Sequence, residues 1–248
     1  MRKLISYPFF VVFVLADILL IAVFFVIQVL AYNIFGYRVY KKLMDLQNFF
    51  MVYLFYILLD RPSFYGFKDI PKNKPLIIVS NHQSIFDISP IIWGFRRYYV
   101  KFIAKAELGR IPSVSYNLKK SGSALIDRDN NFQAIKEIVR LGKDIEKNNN
   151  AVCIFPEGTR SKDGRLKEFN TAGLKTLLRT SPSAVIIPFV IDGNYKLLKW
   201  GGVPLNIGIK LRYTALDPID RDNLSDKELL EKVKNKIQKH LEETSSYS

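Results

Sequence analysis

Pro75-Leu76-Ile77-Ile78-Val79-Ser80-Asn81-His82-Gln83-Ser84-Ile85-Phe86-Asp87 is the stretch that decides how this chain folds. Its first half is short, continuously apolar and rich in β-branched residues, which marks a strand buried on both faces. Its second half turns abruptly polar and then leads into helix-like sequence over 85–97. A buried strand followed by a polar turn and a helix is the repeating unit of a parallel α/β sheet. Further apolar strands are expected at 100–104, 124–127, 151–155, 184–191 and 207–213. Helical spacing over 132–147 separates two of them, and Ser225 is placed to cap a final helix with Leu229, Leu230, Val233, Ile237 and Leu241 on one face. The expected fold is a layered α/β/α domain around a mostly parallel or mixed sheet.

Upstream of that domain the text differs in kind. From Leu4 to Phe35 it is nearly all apolar, broken by Ser6, Asp17, Gln28 and Asn33, and a second apolar run covers Phe49 to Leu59. Thirty-two helical residues reach about 48 Å, more than the roughly 30 Å hydrocarbon core, whereas eleven are too few to span it. Asp17 near the middle would cost about 2.5–3.5 kcal/mol at the centre of a spanning helix. Basic residues flank both ends of the first segment, so charge gives no vote for crossing. Two helices dipping into one leaflet and returning, with Asp17 near a turn or packed against protein, fit these facts. One crossing helix plus an interfacial one is the alternative, and a cleaved signal peptide is disfavoured by the length and the acid. Residues 1–61 are therefore expected to form membrane-anchoring helices and residues 62–248 the α/β domain.

The chain of 248 residues is 48% hydrophobic and 13% aromatic, which rules out disorder. Its single cysteine, Cys153, rules out a disulfide scaffold. With 37 Lys+Arg against 23 Asp+Glu the net charge is +14, a surplus that attracts nucleic acid, an anionic leaflet or a phosphorylated small molecule. Residues 1–62 carry six basic and three acidic groups, so most of the surplus lies beyond them.

Three segments at the expected carboxyl ends of strands carry groups suited to chemistry. His82 and Asp87 are five apart, about 140° around a straight helix, so they share no face of one. With His82 in the loop and Asp87 in the first turn, the carboxylate can hold one imidazole nitrogen and leave the other as a base. In Phe155-Pro156-Glu157-Gly158-Thr159-Arg160-Ser161, Gly158 permits close backbone approach, Thr159 supplies a hydroxyl, and Arg160 a planar fork suited to phosphate. Glu157 can hold Arg160 or accept from a substrate hydroxyl. Gly122 through Arg128 ends a strand with a second guanidinium, and Lys101, Lys105, Arg110, Lys119 and Lys120 lie between with only Glu107 opposing. The bland alternatives are a loop-capping histidine, a surface turn with a local ion pair, and a solvated basic face.

In order, these segments resemble the motifs of the glycerolipid acyltransferase family, and of its lysophosphatidate acyltransferases in particular. Asn81-His82 through Asp87 matches the family's His-x4-Asp motif, and Phe155 through Arg160 its Phe-Pro-Glu-Gly-Thr-Arg signature. Gly122–Arg128, Ile187–Ile191 and Lys105-Ala106-Glu107-Leu108 are similar to its remaining blocks. The resemblance covers about residues 75–192. It departs at Phe169-Asn170-Thr171-Ala172-Gly173, where the family often carries a lysine after the Phe, and at Ala124, where a bulky residue is usual.

The resemblance implies transfer of a fatty acyl group from acyl-CoA or acyl carrier protein to the 2-hydroxyl of lysophosphatidate, giving phosphatidate. His82 would be the general base and Asp87 its orienting partner. Lys105, Arg128, Glu157, Gly158, Thr159 and Arg160 would handle the acceptor's phosphate and glycerol. No metal and no cofactor beyond the acyl-donor substrate is implied. The expected partner is a phospholipid bilayer, with the domain on the cytoplasmic face of the cell membrane. Glycerol 3-phosphate or another lysophospholipid is the alternative acceptor. A membrane-tethered nucleic-acid or anionic-lipid binding module is the rival of a different class. That rival leaves both strand-end motifs unexplained, and nucleic acid is not an expected partner.

Overall fold

A buried strand needs apolar cover on both of its faces, and the computed structural model, which describes residues 1–221 and 224–245, supplies it for Leu76–Ser80. Among the described residues seven strands form one sheet in the order β1-β7-β6-β2-β5-β3-β4, and Leu76–Ser80 (β2) occupies its centre. The others are β1 (Arg61–Tyr65), β3 (Val100–Lys105), β4 (Ala124–Ile126), β5 (Ala151–Ile154), β6 (Val185–Asp192) and β7 (Lys210–Ala215). All neighbouring pairs run parallel except β6 with β7, so the sheet is mixed.

Alternation along the strands divides the core. Ile78, Cys153 and Ile187 are register partners facing one side, while Ile77, Val152 and Ile186 face the other. On the first side lie four helices, α1 (Arg2–Phe35), α2 (Tyr37–Tyr53), α3 (Ile88–Gly94) and α4 (Pro112–Ser121). The second side is covered by α5 (Asn131–Asn148), α6 (Thr171–Thr180) and, beyond the short α7 (Asn194–Leu197), α8 (Asp226–Ser245). The result is the expected α/β/α layering. Ser225 caps α8 through a reciprocal pair with Glu228.

The N-terminal segment forms two helices, and of the two settings expected for Asp17, near a turn or packed against protein, the turn is not there. α1 runs without a break past Asp17, which is half-buried in mid-helix, and the chain reverses at Gly36, whose φ of 75° suits glycine. The Phe49–Leu59 run is no separate helix: it is the end of α2 plus a 3₁₀ turn, Leu54–Leu58. One side of α1 packs on protein, with Phe13 against Phe55 and Phe86 and Gln28 donating to Gln47 at 2.8 Å. The opposite side exposes Leu4, Val11, Leu15, Leu19, Val26 and Leu30. By length and composition α1 can cross a membrane, with a mean hydropathy of 3.2 over its most apolar stretch.

Other differences are local. The helix expected over 85–97 is a 3₁₀ turn, Ile85–Asp87, followed by the seven residues of α3. β1, α4 and α6 were not anticipated, and β7 begins at Lys210 rather than at residue 207. β1 begins at Arg61, beside the expected boundary at 61/62, yet Phe13, Tyr40 and Met44 of the N-terminal helices share one core with the sheet.

Candidate active site

Because β2, β3, β4, β5 and β6 are mutually parallel, their carboxyl ends share one edge of the sheet, and the loops leaving them carry the polar segments. β2 delivers His82, β5 delivers the 155–161 loop, β3 ends at Lys105, and β4 leads to Arg128.

The turn after β2 brings His82 onto Asp87. Ser84 caps the 3₁₀ turn, its hydroxyl accepting from the Phe86 N–H at 2.9 Å while the Ser84 N–H donates back to Asp87 Oδ2 at 2.9 Å. That tight turn folds the carboxylate over its own loop, so Oδ2 also accepts from the Gln83 N–H at 2.6 Å and faces His82 Nδ1 at 2.7 Å. An ionised carboxylate between these donors puts the imidazole proton on Nδ1 and leaves Nε2 as the acceptor. Asp87 is fully buried and the His82 side chain is 20% exposed, so of the pair only the imidazole meets solvent.

Two further groups fix the pair. The Asn194 amide donates to Asp87 Oδ1 at 2.7 Å, and the Tyr213 hydroxyl donates to Asn194 Oδ1 at 3.0 Å. This chain reaches from β7 through the loop after β6 to the centre of the site. On the other flank the Phe155 ring stacks on the imidazole, 4.2 Å between centroids at 21°. Asn81 pins the turn from below, donating to the Ile191 carbonyl and accepting from the Ile191 N–H, both at 2.8 Å.

Glu157 is held differently from its expected role. It forms no ion pair with Arg160; its Oε1 accepts from the His82 N–H at 2.7 Å and its Oε2 from the Lys167 N–H at 3.0 Å. Burial pushes its carboxyl above the ordinary carboxylate value, against the pull of those two N–H groups. The 155–161 loop is further tied to β2 by the Ser161 N–H, which donates to the His82 carbonyl at 2.7 Å. Gly158 has φ of 68°, and no atom lies within 4 Å of where its Cβ would stand. Its backbone therefore faces open space.

The structure brings His82, Asp87, Glu157, Gly158, Thr159 and Arg160 together on adjacent strands. Thr159 and Arg160 are exposed at the rim, and Lys167 reaches back to them, its Nζ donating to Thr159 Oγ1 at 3.2 Å and to the Arg160 carbonyl at 2.8 Å. Lys105 and Arg128 are exposed on the same edge but farther along it, two and three inter-strand steps from β2, about 10 and 14 Å at the usual spacing. Asn194 and Tyr213 are residues the sequence did not mark, and Tyr213 carried no local signal. Asn194 follows a buried strand and a glycine, the one hint available. Asn170, standing where the resemblance expects a lysine, caps α6 by accepting from the Ala172 N–H. Among the described residues no cluster of His, Cys, Asp and Glu is arranged to hold a metal.

Comparison with known proteins matches this geometry to a family. A family model described as acyltransferase spans residues 61–192, which include the loops after β2, β3, β4 and β5. The 1-acyl-sn-glycerol-3-phosphate acyltransferase of Cocos nucifera is 35% identical over 128 residues, 52% of this chain and 40% of that protein. The protein of the same description from Borreliella burgdorferi is 28% identical over 180 residues, 71% of this chain and 70% of its own length. The crystal structure of the 1-acyl-sn-glycerophosphate (LPA) acyltransferase PlsC from Thermotoga maritima superposes with a TM-score of 0.82 at 27% identity, covering 99% of this chain and 98% of that one. The chain spans about two fifths of the length of the first curated relatives it matches.

Proposed function

The chain belongs to the acyltransferase family, and on that premise we propose that it transfers a fatty acyl group from acyl-CoA or acyl carrier protein to the sn-2 hydroxyl of lysophosphatidate, yielding phosphatidate. The observation that carries the proposal is the 2.7 Å contact of His82 Nδ1 with the buried Asp87 carboxylate, which leaves Nε2 of a partly exposed ring without a partner inside the pair. The names of the relatives and of the solved structure supply the acceptor class.

In this mechanism His82 Nε2 takes the proton of the acceptor hydroxyl as its oxygen attacks the thioester carbonyl carbon. The C–S bond then breaks, and the imidazolium returns its proton to the departing thiolate. Asp87 holds the tautomer and stabilises the transient positive ring; it remains ionised. A thioester is already activated, so direct attack in a ternary complex needs no covalent enzyme intermediate, metal or other cofactor. Phe155 keeps the ring from rotating. Arg160, with Lys105 and Arg128 farther along the edge, clamps the acceptor phosphate, Thr159 meets its glycerol oxygens, and Gly158 lets the backbone approach. Glu157 acts behind them by holding the His82 backbone. The exposed face of α1 seats the domain on the cytoplasmic leaflet, so that the lysolipid reaches His82 with its tail still in the bilayer.

The test is product formation by the detergent-solubilised chain, offered lysophosphatidate, glycerol 3-phosphate or lysophosphatidylglycerol with each acyl donor. Phosphatidate from lysophosphatidate is the expected result. Turnover confined to another acceptor overturns the assignment.

A further inference from the structure

Outside the N-terminal helices, exposed apolar side chains include Phe132 and Ile135 on α5 and Val203 before β7, and a further group lies on the side of the sheet that α1 covers. Ile85, Leu108 and Ile111 are 61%, 38% and 47% exposed, and all three lie on segments leaving the carboxyl edge, around the His82 site. Ile85 sits on a turn that packs against α1, and Leu108 and Ile111 precede a helix that does. Ile85 precedes Phe86, whose ring meets Phe13 of α1 edge-on, 6.1 Å between centroids. Leu108 and Ile111 lead into α4, whose Tyr116 meets Phe25 and Tyr32 of α1 edge-on at 5.8 and 6.4 Å. The segment from Lys105 to Pro112 is nearly all exposed, and it intersperses apolar groups with the cations Lys105 and Arg110 and the single acid Glu107. The arm leaves Leu108 and Ile111 in water with a cation between them.

We propose that the 105–112 arm is a second membrane contact. Leu108 and Ile111, with Ile85, enter the headgroup region of an anionic leaflet beside α1, and Arg110 pairs with a lipid phosphate. The occupant is a lipid surface and not a soluble partner, for two reasons. The apolar groups stand beside α1, on or next to elements whose Phe86 and Tyr116 pack against its protein-facing side, and the cationic Arg110 between Leu108 and Ile111 complements an anionic leaflet. The arm and α1 then flank His82 and frame a lateral passage along which a lysolipid moves from bilayer to base. The inference rests on the membrane-bound acyl-transfer reading and adds to it where the lipid enters.

The chain lends itself to the test because its one cysteine, Cys153, is fully buried. Full-length Leu108→Cys, Ile111→Cys, Val23→Cys and Lys147→Cys are each labelled with an environment-sensitive fluorophore. They are mixed with vesicles of equimolar phosphatidylcholine and phosphatidylglycerol carrying a nitroxide on the acyl chain. Val23 lies on the exposed face of α1, and Lys147 near the end of α5 on the opposite side of the sheet. Labels at 108 and 111 shift to the blue and are quenched as the label at 23 is, while the label at 147 stays unquenched. Quenching at 23 with none at 108 and 111 overturns the second contact alone. No quenching at 23 overturns the membrane reading beneath it.

Leu108→Ser/Ile111→Ser supplies an independent measure. Removing the apolar burial of two side chains raises the apparent KM for vesicle-embedded acceptor about tenfold or more, with turnover of a short-chain, monodisperse acceptor within about twofold. Equal losses on both acceptors, or none on either, contradict the proposal.

Discussion

Glu157 Oε1 accepts the backbone N–H of His82 at 2.7 Å, so the acidic residue of one motif holds the main chain of the other. Its second oxygen accepts from the Lys167 N–H, and the residue therefore joins β2, β5 and the loop before α6 at one buried point. Glu157→Ala leaves two N–H groups without acceptors, at about 1–3 kcal/mol each. We expect a lower Tm and a fall in kcat that exceeds any change in acceptor KM. A pure KM effect would return Glu157 to a direct substrate contact.

Asn194 supports Asp87 from the opposite side. Asn194→Leu strips Asp87 Oδ1 of its side-chain donor and the Tyr213 hydroxyl of its acceptor, both inside the core. The expected outcome is about a tenfold loss of kcat with acceptor KM within about twofold, the pattern of a lost transition-state interaction. Unchanged kcat removes Asn194 from the positioning chain.

Asp60 provides a pH signature remote from the chemistry. It is fully buried between the N-terminal helices and β1, its Oδ1 accepting from the Ile209 N–H at 2.6 Å while Oδ2 has no partner. Burial pushes its carboxyl up to about 7, against the pull of Ile209 and of the Arg2 charge. Between an ordinary value near 4 and that of about 7, the folded chain holds a proton that the unfolded chain has lost. Stability from this group is therefore present at low pH, falls across that window by up to about 1.4 kcal/mol per pH unit, and levels off above it. Asp60→Asn should flatten the decline in Tm over the same window. Parallel Tm curves for the two proteins would contradict the assignment.

Of the three cations expected to clamp the phosphate, Arg160 is the nearest to His82 in strand order, one inter-strand step from β2. Arg160→Ala loses a charge-assisted contact and should raise the KM for the phosphorylated acceptor about tenfold, with a smaller effect on kcat. An unchanged KM would leave the clamp to Lys105, Arg128 and Lys167.

How far these features were legible follows from their range in sequence. The strand at Leu76–Ser80 and its polar exit are local patterns, and so is the His82–Asp87 spacing, because one turn closes it. The layering followed from alternation of buried strands with helices. Asn194 and Tyr213 escaped because their meaning arises only when β6 and β7 close beside β2, 107 and 19 residues away along their respective hydrogen bonds. Glu157 was legible as a motif residue, but not as a backbone acceptor 75 residues from His82. α1 misled for the opposite reason. Asp17 looked like an interruption, yet a single acid leaves helical hydrogen bonding intact, and the reversal needed the positive φ available at Gly36.

The most direct measurement compares acyl transfer to lysophosphatidate by the wild-type chain and by His82→Ala under identical conditions, with Tm and circular dichroism as folding controls. The ring is a partly exposed terminus of the network, so its loss should leave the fold intact. Removing the general base should lower the rate about a hundredfold to ten-thousandfold. Folded His82→Ala that forms phosphatidate at close to the wild-type rate would contradict the mechanism.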